Sequence, residues 1–177
     1  MFNNLPYRLF LTFNATSLII FIFLIKEQTK ICFLNPLPNW VSYIVYLCIP
    51  IALTGLSLLV AKYLSSDSIE GKITRIEQAN NAFLPSYLGY FFVALSVPYS
   101  ETLLFIFAVL FIFTFFSQTL YFNPLFLLFG YHFYYVDTDD RMNLFIITKQ
   151  QLRSVVGISF PQLKRINNFT YIEMEDK

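Results

Sequence analysis

Charge is scarce in this chain. Only 13% of its 177 residues are Asp, Glu, Lys or Arg, against about 25% in an ordinary soluble domain. The net charge of +1 leaves no overall field of the kind that attracts nucleic acid. Cysteine is nearly missing. Cys32 and Cys48 fit no metal or redox spacing. Cys48 lies inside an apolar run and reads as a small core hydrophobe. Cys32 has no obvious partner, so a disulfide between them is not expected.

The usual material of catalysis is thin as well. His132 is the only histidine. A general base needs a partner within hydrogen-bond reach, and no serine or cysteine is placed to suggest one, so a structural role is the better reading. Asp137, Asp139 and Asp140 resemble a fragment of a calcium loop. That loop needs a glycine and a distal glutamate at fixed positions, and Arg141 and Met142 stand where the pattern fails. Gly71, Gly89 and Gly130 build no phosphate-binding loop. With no paired carboxylates and no metal-ligand cluster, we expect no cofactor, no metal and no enzymatic activity.

What the chain has in abundance is apolar surface. Hydrophobic residues make up 56% and aromatic residues 20%, with 22 Phe, and the mean hydropathy is +0.58. These values place it in the membrane class. Leu9 to Ile25 forms a first apolar run after a single Arg8. It imitates a signal peptide, but Lys26, Glu27 and Gln28 follow it instead of a small-residue cleavage site, so it reads as an uncleaved transmembrane helix. Val41 to Ala61 is long enough, at about 1.5 Å per residue, to cross the hydrocarbon. Ala82 to Val97 is short and is expected to extend through flanking residues. Thr102 to about Phe122 forms the fourth run, separated from the third only by "PYSE", which predicts a tight helical hairpin. Pro124 predicts a break, because it pushes Asn123 out of helical geometry. Pro50 falls within the second run and predicts a kink.

Ten of the twelve Lys and Arg residues lie in the N-terminus, the 62–81 loop and the C-terminal tail. Only Lys26 and Lys30 lie on the other side, so both termini are expected to face the cytoplasm. Trp40 and Tyr43 fit the outer interfacial belt. Within the first span, Thr12, Asn14, Thr16 and Ser17 form a polar cluster. No ionisable residue marks a path through any span, so packing is preferred over a pore. The sequons at 14–16 and 168–170 are discounted as intramembrane and cytoplasmic.

The tail changes character. "YHFYYV" and "NLFIIT" read as strands around the turn "DTDDRM", and "FTYIEME" (169–175) as another. In the loop, "SIEGKITRIEQ" alternates imperfectly, with Ile69, Gly71, Ile73 and Arg75 on one face and Glu70, Lys72, Thr74 and Ile76 on the other. An isolated hairpin is marginal in water, so the loop strand is expected to join the tail in one sheet. "KQQLRSVVGI" is read as a short helix between strands. The fold class is therefore a mainly α membrane protein of four transmembrane helices (1–129) with a small cytoplasmic β-rich platform built from the 62–81 loop and the tail (130–177).

On that platform Lys149, Arg153, Lys164 and Arg165 are the candidate partner-binding surface, and Tyr131, Phe133 and Tyr135 its packing face. Docking of a protein partner is ranked ahead of contact with anionic lipid and direct binding of DNA. The rival readings are a membrane-permeabilising effector or small channel, supported by the polar cluster and Pro50, and an embedded lipid enzyme.

"IEQANNAFLPSYLGYFFVALSVP" (76–98) and "NPLFLLFGYHFYYVDTDDRMNLFIITKQQLR" (123–153), together with the four-span layout and cytoplasmic tail, resemble the KwaA family, membrane subunits of the bacterial Kiwa anti-phage defence system. The resemblance covers most of the chain and rests on general pattern, with no catalytic signature. It implies an oligomeric inner-membrane protein that acts with KwaB, a soluble cytoplasmic subunit that binds DNA. The pair would detect infection at the membrane and restrain phage DNA replication and transcription. DNA would be reached only through that subunit. The resulting reading is a non-enzymatic membrane sensor and scaffold.

Overall fold

The computed structural model describes residues 4–34, 36–69, 72–82, 84–117, 123–139, 142–155, 158 and 160–174. Glu70, Gly71, Phe122, Asp140, Arg141, Glu175 and Lys177 lie outside them.

Among the described residues, four helices form the body. α1 (Leu5–Lys26) begins with Pro6 in its first turn, where a missing N–H costs nothing. α2 (Asn39–Ala61) carries Pro50 in its interior. α3 (Leu84–Ser96) and α4 (Ser100–Ser117) are separated only by Val97, Pro98 and Tyr99, the tight hairpin expected. α1, α2 and α4 are each long and apolar enough to cross a membrane, which is compatible with a membrane protein. α3 does not extend through its flanks: its 13 residues reach about 20 Å, against about 30 Å of hydrocarbon.

α1 is the central post, touching α2, α3 and α4. Half of its apolar window is buried, against 11% for α4. Ile19, Ile22 and Phe23 of α1 pack with Tyr87, Tyr90 and Ala94 of α3 and with Leu103 of α4. Outward-facing Phe105, Phe113 and Phe116 leave α4 with a broad apolar exterior. Cys48 is exposed on the outside of α2 and not in the core, and both thiols are free.

Past α4, Asn123 and Pro124 break the chain, as Pro124 predicts, before a one-turn helix α5 (Leu125–Leu128). Gly130 follows at φ +77. Its N–H donates to the Leu127 carbonyl and that of Tyr131 to the Phe126 carbonyl, at 3.0 and 3.1 Å. This closing pair of bonds needs a left-handed residue, which glycine supplies without a Cβ clash.

The described residues of the loop and tail make one six-stranded sheet. Its strands are β1 (Ser66–Asp67), β2 (Ile73–Gln78), β3 (His132–Thr138), β4 (Asn143–Thr148), β5 (Leu163–Arg165) and β6 (Thr170–Glu173), in the spatial order β1-β5-β6-β4-β3-β2. All neighbours are antiparallel except β4 and β6, which run parallel.

Two sequence expectations about the sheet and its covering segment also need correction. The register of β2 against β3 shifts between Ile73 and Arg75. The extra residue breaks strict alternation, so Ile73 and Ile76 both pack on the apolar cluster of one face instead of pointing to opposite sides. In "KQQLRSVVGI" no described residue is helical. Leu152 lies instead in chain without regular structure, its N–H donating to the Tyr134 hydroxyl at 3.2 Å.

The sheet sits at one end of the body. Phe133, Phe145, Ile147 and Ile172 share a core with Tyr7 and Leu11 at the start of α1, Leu58 and Ala61 at the end of α2, and Phe126 of α5. At the far end, Lys26 Nζ donates to the Val97 carbonyl at 2.6 Å. The N-terminus, the 62–81 loop and the tail therefore share one end of the molecule.

Candidate functional site

The period-2 alternation of strands gives the sheet two faces. On the face toward the helices, the rings of Phe133 and Phe145 stack at 5.8 Å and Phe126 meets Phe133 edge-on at 6.1 Å. Phe133 is fully buried, Tyr131 nearly so, and Tyr135 packs at the margin of the same cluster. The three residues of the sequence-predicted packing face thus lie together between sheet and helices.

The other face carries Tyr134, Val136, Leu144, Ile146, Leu163 and Tyr171. Ile69, Leu152 and Phe160 cover it. Buried Glu173 accepts from the Thr148 hydroxyl and, at 2.7 Å, from the Gln150 amide, which fixes the start of the covering segment. Burial and the nearby Asp67 carboxylate raise the Tyr171 pKa, with the Arg165 guanidinium acting against them. Burial and Glu77 raise that of Tyr135.

The four candidate basic residues do not form one patch. Lys164 donates to the Ser66 hydroxyl at 2.8 Å, and Arg165 faces Asp67 at 3.5 Å and Asn168 at 3.1 Å. These two lie on β5, beside the β1 edge, and as consecutive strand residues they point to opposite faces. Lys149 Nζ lies 5.4 Å from the Tyr131 ring centroid, just past β4. Arg153 lies across the sheet, over β2 and β3, where it is exposed and lines a cavity of about 450 Å³.

That cavity is built by Ile76 and Gln78 from β2, His132 and Tyr134 from β3, and Arg153 and Ser154 from the covering segment. The Asn80 side chain sets which ring nitrogen of His132 donates. Asn80 Oδ1 accepts the Phe133 N–H at 2.9 Å, so its amide nitrogen faces His132 Nδ1 at 3.1 Å. An amide nitrogen only donates, so Nδ1 carries the lone pair and the ring proton sits on Nε2. Among the described residues, no hydrogen bond or ion pair engages the Arg153 guanidinium. The aspartates of the β3–β4 turn are occupied: Asp137 Oδ1 accepts from Asn143 and Asp139 Oδ1 from the Lys72 N–H, each at 2.9 Å.

Inside the body, Thr12, Asn14, Thr16 and Ser17 are all buried. The three hydroxyls bond carbonyls of their own helix at 2.8 to 2.9 Å. Asn14 instead reaches α2, donating to Thr54 Oγ1 at 2.9 Å, and Asn123 donates to the same oxygen at 2.9 Å. Thr54 passes its own proton to the Pro50 carbonyl at 2.8 Å. The sequence reading missed Thr54 and Asn123, whose partners are remote in the chain. It also treated Arg8 only as a topology charge. Arg8 is buried, 5.1 Å from the Phe115 ring centroid.

No curated protein and no solved structure matches this chain. A family model described as the anti-phage protein KwaA matches residues 7–172, spanning both the helical body and the sheet strands from β1 to β6, and the chain belongs to that family of anti-phage proteins.

Proposed function

We propose that this anti-phage protein is a non-enzymatic scaffold and sensor of the bacterial inner membrane. It crosses four times with both termini in the cytoplasm, oligomerises through its exposed apolar helix faces, and recruits a soluble, DNA-binding, KwaB-like effector to its sheet. The observation that carries this reading is the core shared by the sheet with the ends of α1 and α2. A disturbance that shifts those helices in the bilayer must also shift the sheet, because packed cores transmit displacement.

The four-span count is supported by connectivity. β2 precedes α3 at the sheet end and α5 follows α4 at the same end, while the Pro98 turn lies beside Lys26 at the other. α3 must run back along the body, its short span met by local thinning of the bilayer.

The test is co-purification from gently solubilised membranes. Tagged wild-type chain should bring down a soluble DNA-binding protein. A variant with Lys149, Arg153, Lys164 and Arg165 replaced by Glu should insert normally and lose it. A clean multimer with no partner in the wild type, together with ion flux in liposomes, would overturn the scaffold reading in favour of a channel.

A further inference from the structure

We propose that the open edge of β2 and the cavity beside it form one receptor for an extended, acidic segment of a soluble partner protein. The inference rests on the recruitment reading and gives that surface a location and a chemistry.

Three observations meet here. First, β2 ends the sheet at six residues, with β3 on one side and no strand on the other among the described residues. Its outward N–H and C=O groups form a template for one more strand. Second, residues of that same strand line the cavity. Ile76 and Gln78 are opposite Val136 and Tyr134 in the register and line the cavity on the face away from the helices. Residues of an added strand that oppose Ile76 and Gln78 project to the same face, so every second side chain of an incoming segment lies on the face that carries the cavity.

Third, the cavity is prepared for a carboxylate. Among the described residues the exposed Arg153 guanidinium has no hydrogen bond or ion pair, and the Asn80 contact at His132 Nδ1 leaves Nε2 as the ring's donor. A planar fork of N–H groups suits a carboxylate in two-point contact. Ile76, Tyr134, Leu152 and Val155 give the walls an apolar share, which suits a segment that alternates acidic and β-branched residues. Main-chain pairing to β2 supplies affinity, and Arg153 supplies selectivity for acid over amide.

The experiment uses the full chain in nanodiscs and a fluorescent peptide of alternating Glu and Val, six residues long, read by anisotropy. Saturable binding is expected. It should weaken about tenfold or more when Glu is replaced by Gln in the peptide, or when Arg153→Ala is introduced in the protein, because a charge-assisted contact is lost. Among the described residues Arg153 makes no hydrogen bond or ion pair and is exposed, so that variant should retain wild-type thermal stability. A peptide N-methylated at every residue has no N–H to donate to β2 from either edge, and its binding should vanish. Equal binding of the acidic and amide peptides, or of the methylated and unmethylated ones, would overturn the proposal. If the chain keeps a soluble partner after Arg153→Ala as firmly as before, this receptor is refuted while recruitment stands. If the peptide binds as expected and no soluble partner co-purifies with the wild type, the receptor stands and recruitment falls.

Discussion

The side-chain amide of Asn4 donates to the main-chain carbonyl of Arg165 across 2.7 Å, joining the first residue before α1 to a strand 161 positions later. Asn4 sits at φ 63, a left-handed conformation that asparagine tolerates better than most residues. Two effects of substitution therefore separate. Asn4→Gly keeps the backbone geometry and loses only the hydrogen bond, about 1 kcal/mol. Asn4→Ala loses the bond and adds left-handed strain of about 1 kcal/mol or more. Thermal unfolding in detergent should rank wild type above Asn4→Gly above Asn4→Ala. Hydrogen exchange should report the loosening at Leu163–Arg165. Equal stability of the two variants would show that the backbone at position 4 is unstrained.

Thr54 is the second joint. Its hydroxyl accepts from Asn14 and Asn123 and donates to the Pro50 carbonyl, which uses its one donor and both acceptor sites. Thr54→Val keeps the shape and strands two buried amides. Each unsatisfied amide costs roughly 1–3 kcal/mol in a dry interior, and less where a membrane-embedded unfolded state finds other partners. The expected result is a clear fall in thermal stability for Thr54→Val and near-wild-type behaviour for Thr54→Ser. Wild-type stability in Thr54→Val would mean the amides find other partners.

Gly130 sets the path from α5 into β3. Its φ is +77, and an added Cβ would meet nothing within 4 Å. Gly130→Ala therefore tests backbone strain without steric clash. It should cost about 1 kcal/mol or somewhat more, with Gly130→Asn costing less. Chemical unfolding followed by aromatic circular dichroism checks this, since Phe133 and Tyr131 lie just beyond the turn.

These contacts show why some of the structure was legible in the sequence and some was not. β4 was readable at its true bounds because "NLFIIT" is rich in β-branched and aromatic residues between polar turns. β1 and β5, "SD" and "LKR", carry no such signal: they pair because β6 and the covering segment place them side by side. The bulge in β2 hid the shared face of Ile73 and Ile76, since alternation presumes an unbroken ladder. The polar cluster of α1 was visible, but its acceptor on α2 was not. The four basic residues were chosen by charge and ended up at separate places, because one-dimensional proximity says little about strand order in a sheet whose neighbours include β4 and β6. The cavity around Arg153 needs residues from β2, β3 and the 151–155 segment at once, and no single stretch of sequence displays it.

Tyr171 makes the sheet sensitive to alkali. Burial and Asp67 raise its pKa above the usual tyrosine value of about 10, and Arg165 pulls against them. In the unfolded chain the phenol ionises near its ordinary value, so the folded state holds the proton more firmly. The stability linked to this proton is complete below about pH 10 and drains away as pH rises toward the folded-state value. Tyr171→Phe removes this titration, and unfolding midpoints should fall less for that variant than for wild type between about pH 9 and 11. Arg165→Ala removes the opposing influence, so the raised pKa rises further and the alkaline loss becomes steeper. Tyr135, raised by burial and Glu77, titrates in the same direction in every variant, so the comparison isolates Tyr171. Identical pH profiles for wild type and Tyr171→Phe would show that the phenol is as easily ionised in the sheet as in the free chain.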